Sequence, residues 1–169
     1  MKKIYLAGPD VFRANPLEHF KTLKALCKEY GFIGLSPFDN EDGFDGEISS
    51  KKHATHIFAG NVALVKICDI IIANLTPFRG ACVDDGTAWE IGCGYTNAKL
   101  IYGYTDYYCV KLPYQINLNA HPDSLLEFPN IESFGENCVN LMLQESIELS
   151  GGKILKTFED CLIDLNKNR

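Results

Sequence analysis

Apolar and polar positions repeat with two different periods along this chain, and each change of period marks an element. Residues 3–7, KIYLA, form a short apolar run closed by glycine and proline, the pattern of a buried strand. Leu17, Phe20, Leu23, Leu26 and Cys27 then recur at helical spacing. Asn15-Pro16 reads as the N-cap and first position of that helix, and Gly31 as the residue just past its end. A second strand is predicted at 32–36, stopped by Pro37. Residues 38–47, FDNEDGFDGE, make an acidic loop punctuated by glycine, and a helix follows from Ser49 to Ile67.

DIIIANL (69–75) is apolar on both faces, as a central parallel strand must be. The loop TPFRGACVDD leads into a helix predicted from Gly86 to Asn97 and a fourth strand in KLIYGYT. Residues 106–135 carry prolines and no clean period, which predicts a long surface excursion. CVNLMLQESIEL reads as helix, KIL as a short fifth strand, and TFEDCLIDLNK as a closing helix capped by Thr157. Strands alternating with helices predict an α/β fold: one domain over residues 1–169, with a parallel five-stranded sheet and helices on both faces. Ligands of such sheets bind outside the carboxyl ends of the strands. There the chain places GPDVF, SPFDNED and TPFRGACVDDG.

Composition narrows the classes of partner. The 169 residues carry a formal charge of −6, with 46% hydrophobic and 22% charged residues. Without a Lys/Arg cluster there is no footprint for a phosphate backbone, so nucleic acid is not expected. MKKIYLAGPD is too polar for a signal peptide, and no apolar run is long enough for a membrane span. Seven scattered cysteines without a C-x-x-C pair suit a reducing cytoplasm. His53 and His56 share a helix face but lack an evident third ligand, so no metal is expected.

The segment DDGTAWEIG (84–92) raises a sharper question, because it sets Glu90 between tryptophan and isoleucine. One reading is a capping box, Thr87-x-x-Glu90, with Thr87 as N-cap. The other rests on Gly86, Glu90 and Gly94, four apart and therefore on one helix face, leaving an open groove beside the carboxylate. Glycine in a helix interior costs about 1 kcal/mol against alanine, so Gly92 and Gly94 call for a reason. A partly desolvated carboxylate in a groove is suited to attack an electrophilic carbon. Asp84, on the loop over the same strand end, makes a second carboxylate, and the pair suggests glycosyl transfer. Asp84 is equally placed to favour the helix N-terminus.

IYLAGPDVF, DIIIANLTPFRG, DDGTAWEIGCGY and NLML together resemble the nucleoside 2-deoxyribosyltransferase family. The joint presence of PFRG and D-x-G-T-A-x-E-x-G at this spacing carries the resemblance. It implies a flavodoxin-like, doubly wound sheet and a two-step exchange that needs no cofactor. Glu90 would attack C1′ of a 2′-deoxynucleoside, and a second base would then take the sugar with overall retention. Asp84 would contact and protonate the base, and Tyr5 would orient the nucleophile. Asn61, where the family often has aspartate, would help recognise the base, as would Glu41 in the variable loop. Gly8 and Gly86 would line the substrate site. Asn140 would be lent by a neighbouring subunit, which makes a homo-oligomer with a shared site part of the expectation. The substrates implied are small molecules, deoxynucleosides and free bases.

Two rivals stay open. A hydrolase of deoxynucleoside 5′-monophosphates would need a phosphate cradle after the first strand, where Asp10 opposes an anion and Arg13 favours one. A non-catalytic nucleotide sensor would suit the same fold. Arg79 is expected to brace its loop, and Asp69 to hold backbone amides at the strand start.

Overall fold

The computed structural model describes residues 1–40, 50–106 and 137–168. Its strands are β1 (Lys3–Ala7), β2 (Ile33–Leu35), β3 (Ile70–Asn74), β4 (Leu100–Tyr104) and β5 (Ile154–Leu155). They form one sheet in the order β2-β1-β3-β4-β5. Every neighbouring pair is parallel, with Tyr5 level with Leu35 on one side and with Ile71 on the other. This is the doubly wound, flavodoxin-like order, whose switch point lies between β1 and β3.

Side-chain parity decides what each face meets. Ile4, Leu6, Ile70 and Ile72 pack with Phe20, Leu23 and Cys27 of α1 (Pro16–Glu29) and with Phe158, Cys161, Leu162 and Leu165 of α5 (Phe158–Lys167). Tyr5, Ala7, Ile71 and Ala73 point the other way. They meet Leu64 and Val65 of α2 (Lys51–Ile67), Ile91 of α3 (Asp85–Thr96) and Ile147 of α4 (Leu141–Leu149). The phase of β1 therefore sends Tyr5 toward α3. A one-residue slip would send it into the opposite layer.

Helix ends follow their caps. Ser50 accepts a bond from the His53 amide at 3.1 Å, so α2 starts two residues after the predicted Ser49. Asn15 occupies the N-cap of α1, but its side chain makes no capping bond; Pro16 alone marks that start. Thr157 and Asp160 form a reciprocal capping box on α5. At the start of β3, Asp69 Oδ2 accepts from the Lys3 amide at 2.7 Å, the strand-tying role expected of it. No helix among the described residues is long and apolar enough to cross a membrane.

Gly94 holds α3 close to the sheet. A methyl group there would stand 2.3 Å from Ile71 Cδ1, and Ile71 is fully buried among the residues of this core layer. Gly92, in the same helix, has no atom within 4 Å of the equivalent point. The two positions should therefore respond oppositely to alanine. Gly92→Ala should stabilise by about 0.5–1 kcal/mol through helix propensity alone. At Gly94 overpacking costs about 1–3 kcal/mol and outweighs that gain. Urea midpoints should move up for the first variant and down for the second; a shared direction would contradict the packing argument.

Candidate active site

Buried polar side chains gather at one end of the sheet. Asp10 and Ser36 follow β1 and β2, Asn74 ends β3, Thr105 follows β4, and Thr87 and Glu90 lie in the first turns of α3. All six lie at or beyond the carboxyl ends of the strands, where a doubly wound sheet binds ligands. A cavity of about 450 Å³ opens there, lined by Gly8, Val11, Phe12, Pro37, Phe38, Ile57, Asn61, Asp84, Gly86, Thr87 and Glu90. Its volume is in the range of small-molecule sites.

Glu90 is its central polar group. The side chain is only 8% exposed, and its Oε1 accepts a 2.5 Å hydrogen bond from the Tyr5 hydroxyl, itself 0% exposed. Burial pushes the Glu90 carboxyl up to about 7; the Tyr5 bond opposes this and the Asp84 charge adds to it. Tyr5 is pushed far above its ordinary value, first by burial and then by Glu90, so its hydroxyl remains a donor.

Of the two readings of Glu90, the capping box is not formed: Thr87 is not the N-cap and Glu90 closes no box. The cap of α3 is Asp84, whose Oδ2 accepts from both the Thr87 amide and the Thr87 hydroxyl at 2.9 Å. The helix starts accordingly at Asp85, one residue before Gly86. An open space does lie beside Glu90, on one side of it. Gly94 is packed against Ile71, and only the Gly86 side opens into the cavity.

The loop after β1 is shaped by a carboxylate hub. Asp10 is 3% exposed and accepts from Arg13 Nε at 2.5 Å and Asn74 Nδ2 at 3.0 Å, with His19 Nε2 at 3.2 Å. Asn74 Oδ1 accepts in turn from the Thr76 amide at 3.1 Å, so Asp10 ties the β1 loop to the β3 loop. Gly8 (φ +153°) passes so close to Asn74 that a Cβ would lie 2.7 Å from the asparagine Cβ. Arg79 braces the same pair of loops. Its guanidinium lies 5.0 Å over Phe12 and 4.6 Å over Phe78, and those rings stack at 5.1 Å.

Tyr5, Gly8, Asn61, Asp84, Gly86 and Glu90 thus meet at one place, five of them in the cavity wall and Tyr5 behind Glu90. Asn140 does not join them in its own chain. It caps α4, accepting from the Met142 amide at 2.9 Å, and lines a separate cavity of about 340 Å³ with Asp85 and Thr105. Glu41 lies outside the described residues. The sequence reading passed over the apolar walls, Val11, Phe12, Phe38 and Ile57. Val11, Phe12 and Phe38 were signalled only by membership in GPDVF and SPFDNED, two of the loops at strand ends, and Ile57, inside α2, by neither.

A family model described as nucleoside 2-deoxyribosyltransferase matches residues 4–142. The chain belongs to that family. Among solved structures, a 2-desoxiribosyltransferase from Leishmania mexicana aligns with a TM-score of 0.75 at 27% identity, over 100% of this chain and 99% of that one. A conserved protein from Enterococcus faecalis V583 aligns at 0.66 with 23% identity, over 100% of this chain and 99% of that chain. A 2-deoxyribosyltransferase from Bacillus psychrosaccharolyticus aligns at 0.60 with 23% identity, over 94% and 88%. These last two bear on the fold alone. An uncharacterized protein of Schizosaccharomyces pombe is 38% identical over 103 residues, 60% of this chain and 49% of that protein. The chain therefore spans about half the length of that curated relative. For this member of the deoxyribosyltransferase family, the match encloses every cavity residue named above.

Proposed function

We propose that the protein transfers 2-deoxyribose from a 2′-deoxynucleoside to a free purine or pyrimidine base through a covalent adduct on Glu90. The observation that carries this reading is the Tyr5–Glu90 hydrogen bond behind a cavity that also holds Asp84. Tyr5 holds Oε1 and leaves Oε2 for attack. In the first step Oε2 bonds to C1′ while the C1′–N bond breaks, and its electron pair leaves with the base. Asp84 passes a proton to the departing nitrogen. In the second step a nitrogen of the incoming base bonds to C1′, the ester C1′–O bond breaks, and Asp84 takes up the released proton. Two inversions give retention.

Absence of the 2′-hydroxyl in the substrate removes an electron-withdrawing group from the cation-like transition state. Carboxylates and a hydrogen bond are then sufficient. The apolar cavity wall contributes by desolvating the nucleophile and receiving the flat base. Such an activity belongs to nucleoside salvage.

Arg13 bears on the hydrolase alternative. Its Nε is bonded to the Asp10 carboxylate, which offsets its charge and makes the loop after β1 a poorer seat for a 5′-phosphate. Asn140 enters this reading as a residue offered to the cavity of a second copy in a homo-oligomer, since it is not part of its own.

Incubation with 2′-deoxyinosine and adenine, followed by chromatography, tests the proposal. New 2′-deoxyadenosine is expected. Release of hypoxanthine alone would make the protein a hydrolase, and no change would favour a sensor. Gel filtration of the active species tests the shared site: an active monomer would remove Asn140 from it.

A further inference from the structure

Phe12 stands apart from the other apolar residues around Glu90. It lines the cavity, yet it is 57% exposed, more than Val11, Pro37, Phe38 or Ile57. A ring that meets the cavity on one side and solvent on the other forms part of the rim. With so much of its surface wet, burial alone holds it weakly.

What holds it comes from the loop after β3. Phe78 stacks on the Phe12 ring at an interplanar angle of 22°, and the Arg79 guanidinium covers both rings. Arg79 reaches them from a left-handed backbone (φ +52°), which is unfavourable for any residue with a Cβ. The Phe78 amide closes that turn by donating to the Cys82 carbonyl at 2.9 Å. Among the described residues the guanidinium has no carboxylate and no hydrogen-bond partner. The strained turn thus serves contact with two rings. Strain of this kind gathers at functional sites and persists where the surroundings impose it.

Chemistry at Glu90 gives the rim its importance. During base exchange the sugar waits on Glu90 Oε2, and water vastly outnumbers any free base. A water that reaches C1′ forms an O–C1′ bond while the C1′–Oε2 bond breaks, its electron pair returning to the carboxylate. The proton lost by that water passes to Asp84, and free 2-deoxyribose leaves. The ester itself does not discriminate against water, so the cavity must keep water out.

We infer that Arg79, acting through Phe78 and Phe12, closes the rim of the Glu90 cavity against water and so sets how the covalent sugar divides between base and water. The inference rests on the base-exchange reading. Arg79 does not itself line the cavity, and its role is one of positioning.

Incubation with 2′-deoxyinosine at a fixed adenine concentration tests it, with 2-deoxyribose, 2′-deoxyadenosine and hypoxanthine all quantified. The ratio of the first two products reads the division of the sugar whatever the total rate. Arg79→Gly removes the guanidinium and suits a left-handed backbone. It should raise that ratio about tenfold or more, while hypoxanthine release stays within about threefold of the wild-type rate. Phe12→Ala should raise the ratio at least as far, and Phe12→Tyr, which keeps the ring, should hold it within about twofold. An unmoved ratio in Arg79→Gly would overturn the inference even if hypoxanthine release fell, because a merely structural brace changes rate alone. A wild-type protein that makes as much free deoxyribose as deoxyadenosine at saturating adenine would also overturn it, since such a rim excludes no water. Both results leave base exchange standing. Failure of that reading looks different: the wild-type protein makes no deoxyadenosine at all, and the inference falls with it.

Discussion

Glu90→Gln is expected to abolish deoxyribosyl transfer while making the folded protein more stable above pH 7. Both effects come from one carboxylate. An amide cannot attack C1′, and loss of a nucleophile lowers turnover by roughly 10⁴-fold or more. The stability effect follows from burial. The carboxyl sits at about 7 in the fold against an ordinary value of 4.5. Between those limits the native state keeps a proton that the unfolded chain has lost, so stability falls as pH rises. The loss is complete once pH passes the folded value. At about 1.4 kcal/mol per pH unit, the ionised side chain costs up to about 3 kcal/mol at pH 8. Glutamine carries no such charge and still offers an oxygen to the Tyr5 hydroxyl.

Urea unfolding at pH 5 and pH 8 should thus show the two proteins close together at the lower pH and the variant ahead at the higher one. Equal separation at both would mean that burial does not set the cost. Wild-type turnover by the variant would mean that another group attacks the sugar. The arrangement fits a general pattern in which a functional site gives up stability that its substitution restores.

The sheet and its helices were legible in the chain because parity is a local property. KIYLA and DIIIANL each show their apolar run within a few residues, and the turns that follow are marked by glycine or proline. The site was legible only in part, and partly for the wrong reason. The Gly86–Glu90–Gly94 stripe does lie on one helix face, but Gly94 is there to let α3 approach Ile71. The cap was ambiguous in principle: Asp84-x-x-Thr87 and Thr87-x-x-Glu90 both have capping spacing. What settles it is the Tyr5 hydroxyl, 85 residues away in the chain, which claims Glu90. Asp10 is a similar case. Its neighbours in sequence suggest only an acid in a turn, whereas its partner Asn74 lies 64 residues on, at the far end of a parallel strand. Long-range partners of this kind leave no local pattern.

Tyr5→Phe should lower activity near neutral pH and let much of it return in alkali. The hydroxyl donates a short, charge-assisted bond to Oε1, and that bond holds the Glu90 carboxyl below where burial alone would put it. Hydrogen bonds to charged groups contribute about 1.5–3 kcal/mol, which corresponds to about 1–2 pH units. Without the hydroxyl the midpoint of ionisation should rise by that amount above about 7. At pH 7, where half of the wild-type carboxyl is ionised, the attacking form then becomes about 5- to 50-fold scarcer, and kcat/KM falls in proportion. By pH 9 most of the deficit should close, because phenylalanine fills the same buried volume and leaves the cavity wall intact. A purely positional role predicts something else: a rate lowered by one factor at every pH, with the midpoint unmoved. The kcat/KM profiles of the two proteins between pH 5 and pH 9.5 therefore separate tuning from orientation. A parallel offset across that range would reduce Tyr5 to a support for the side chain it touches.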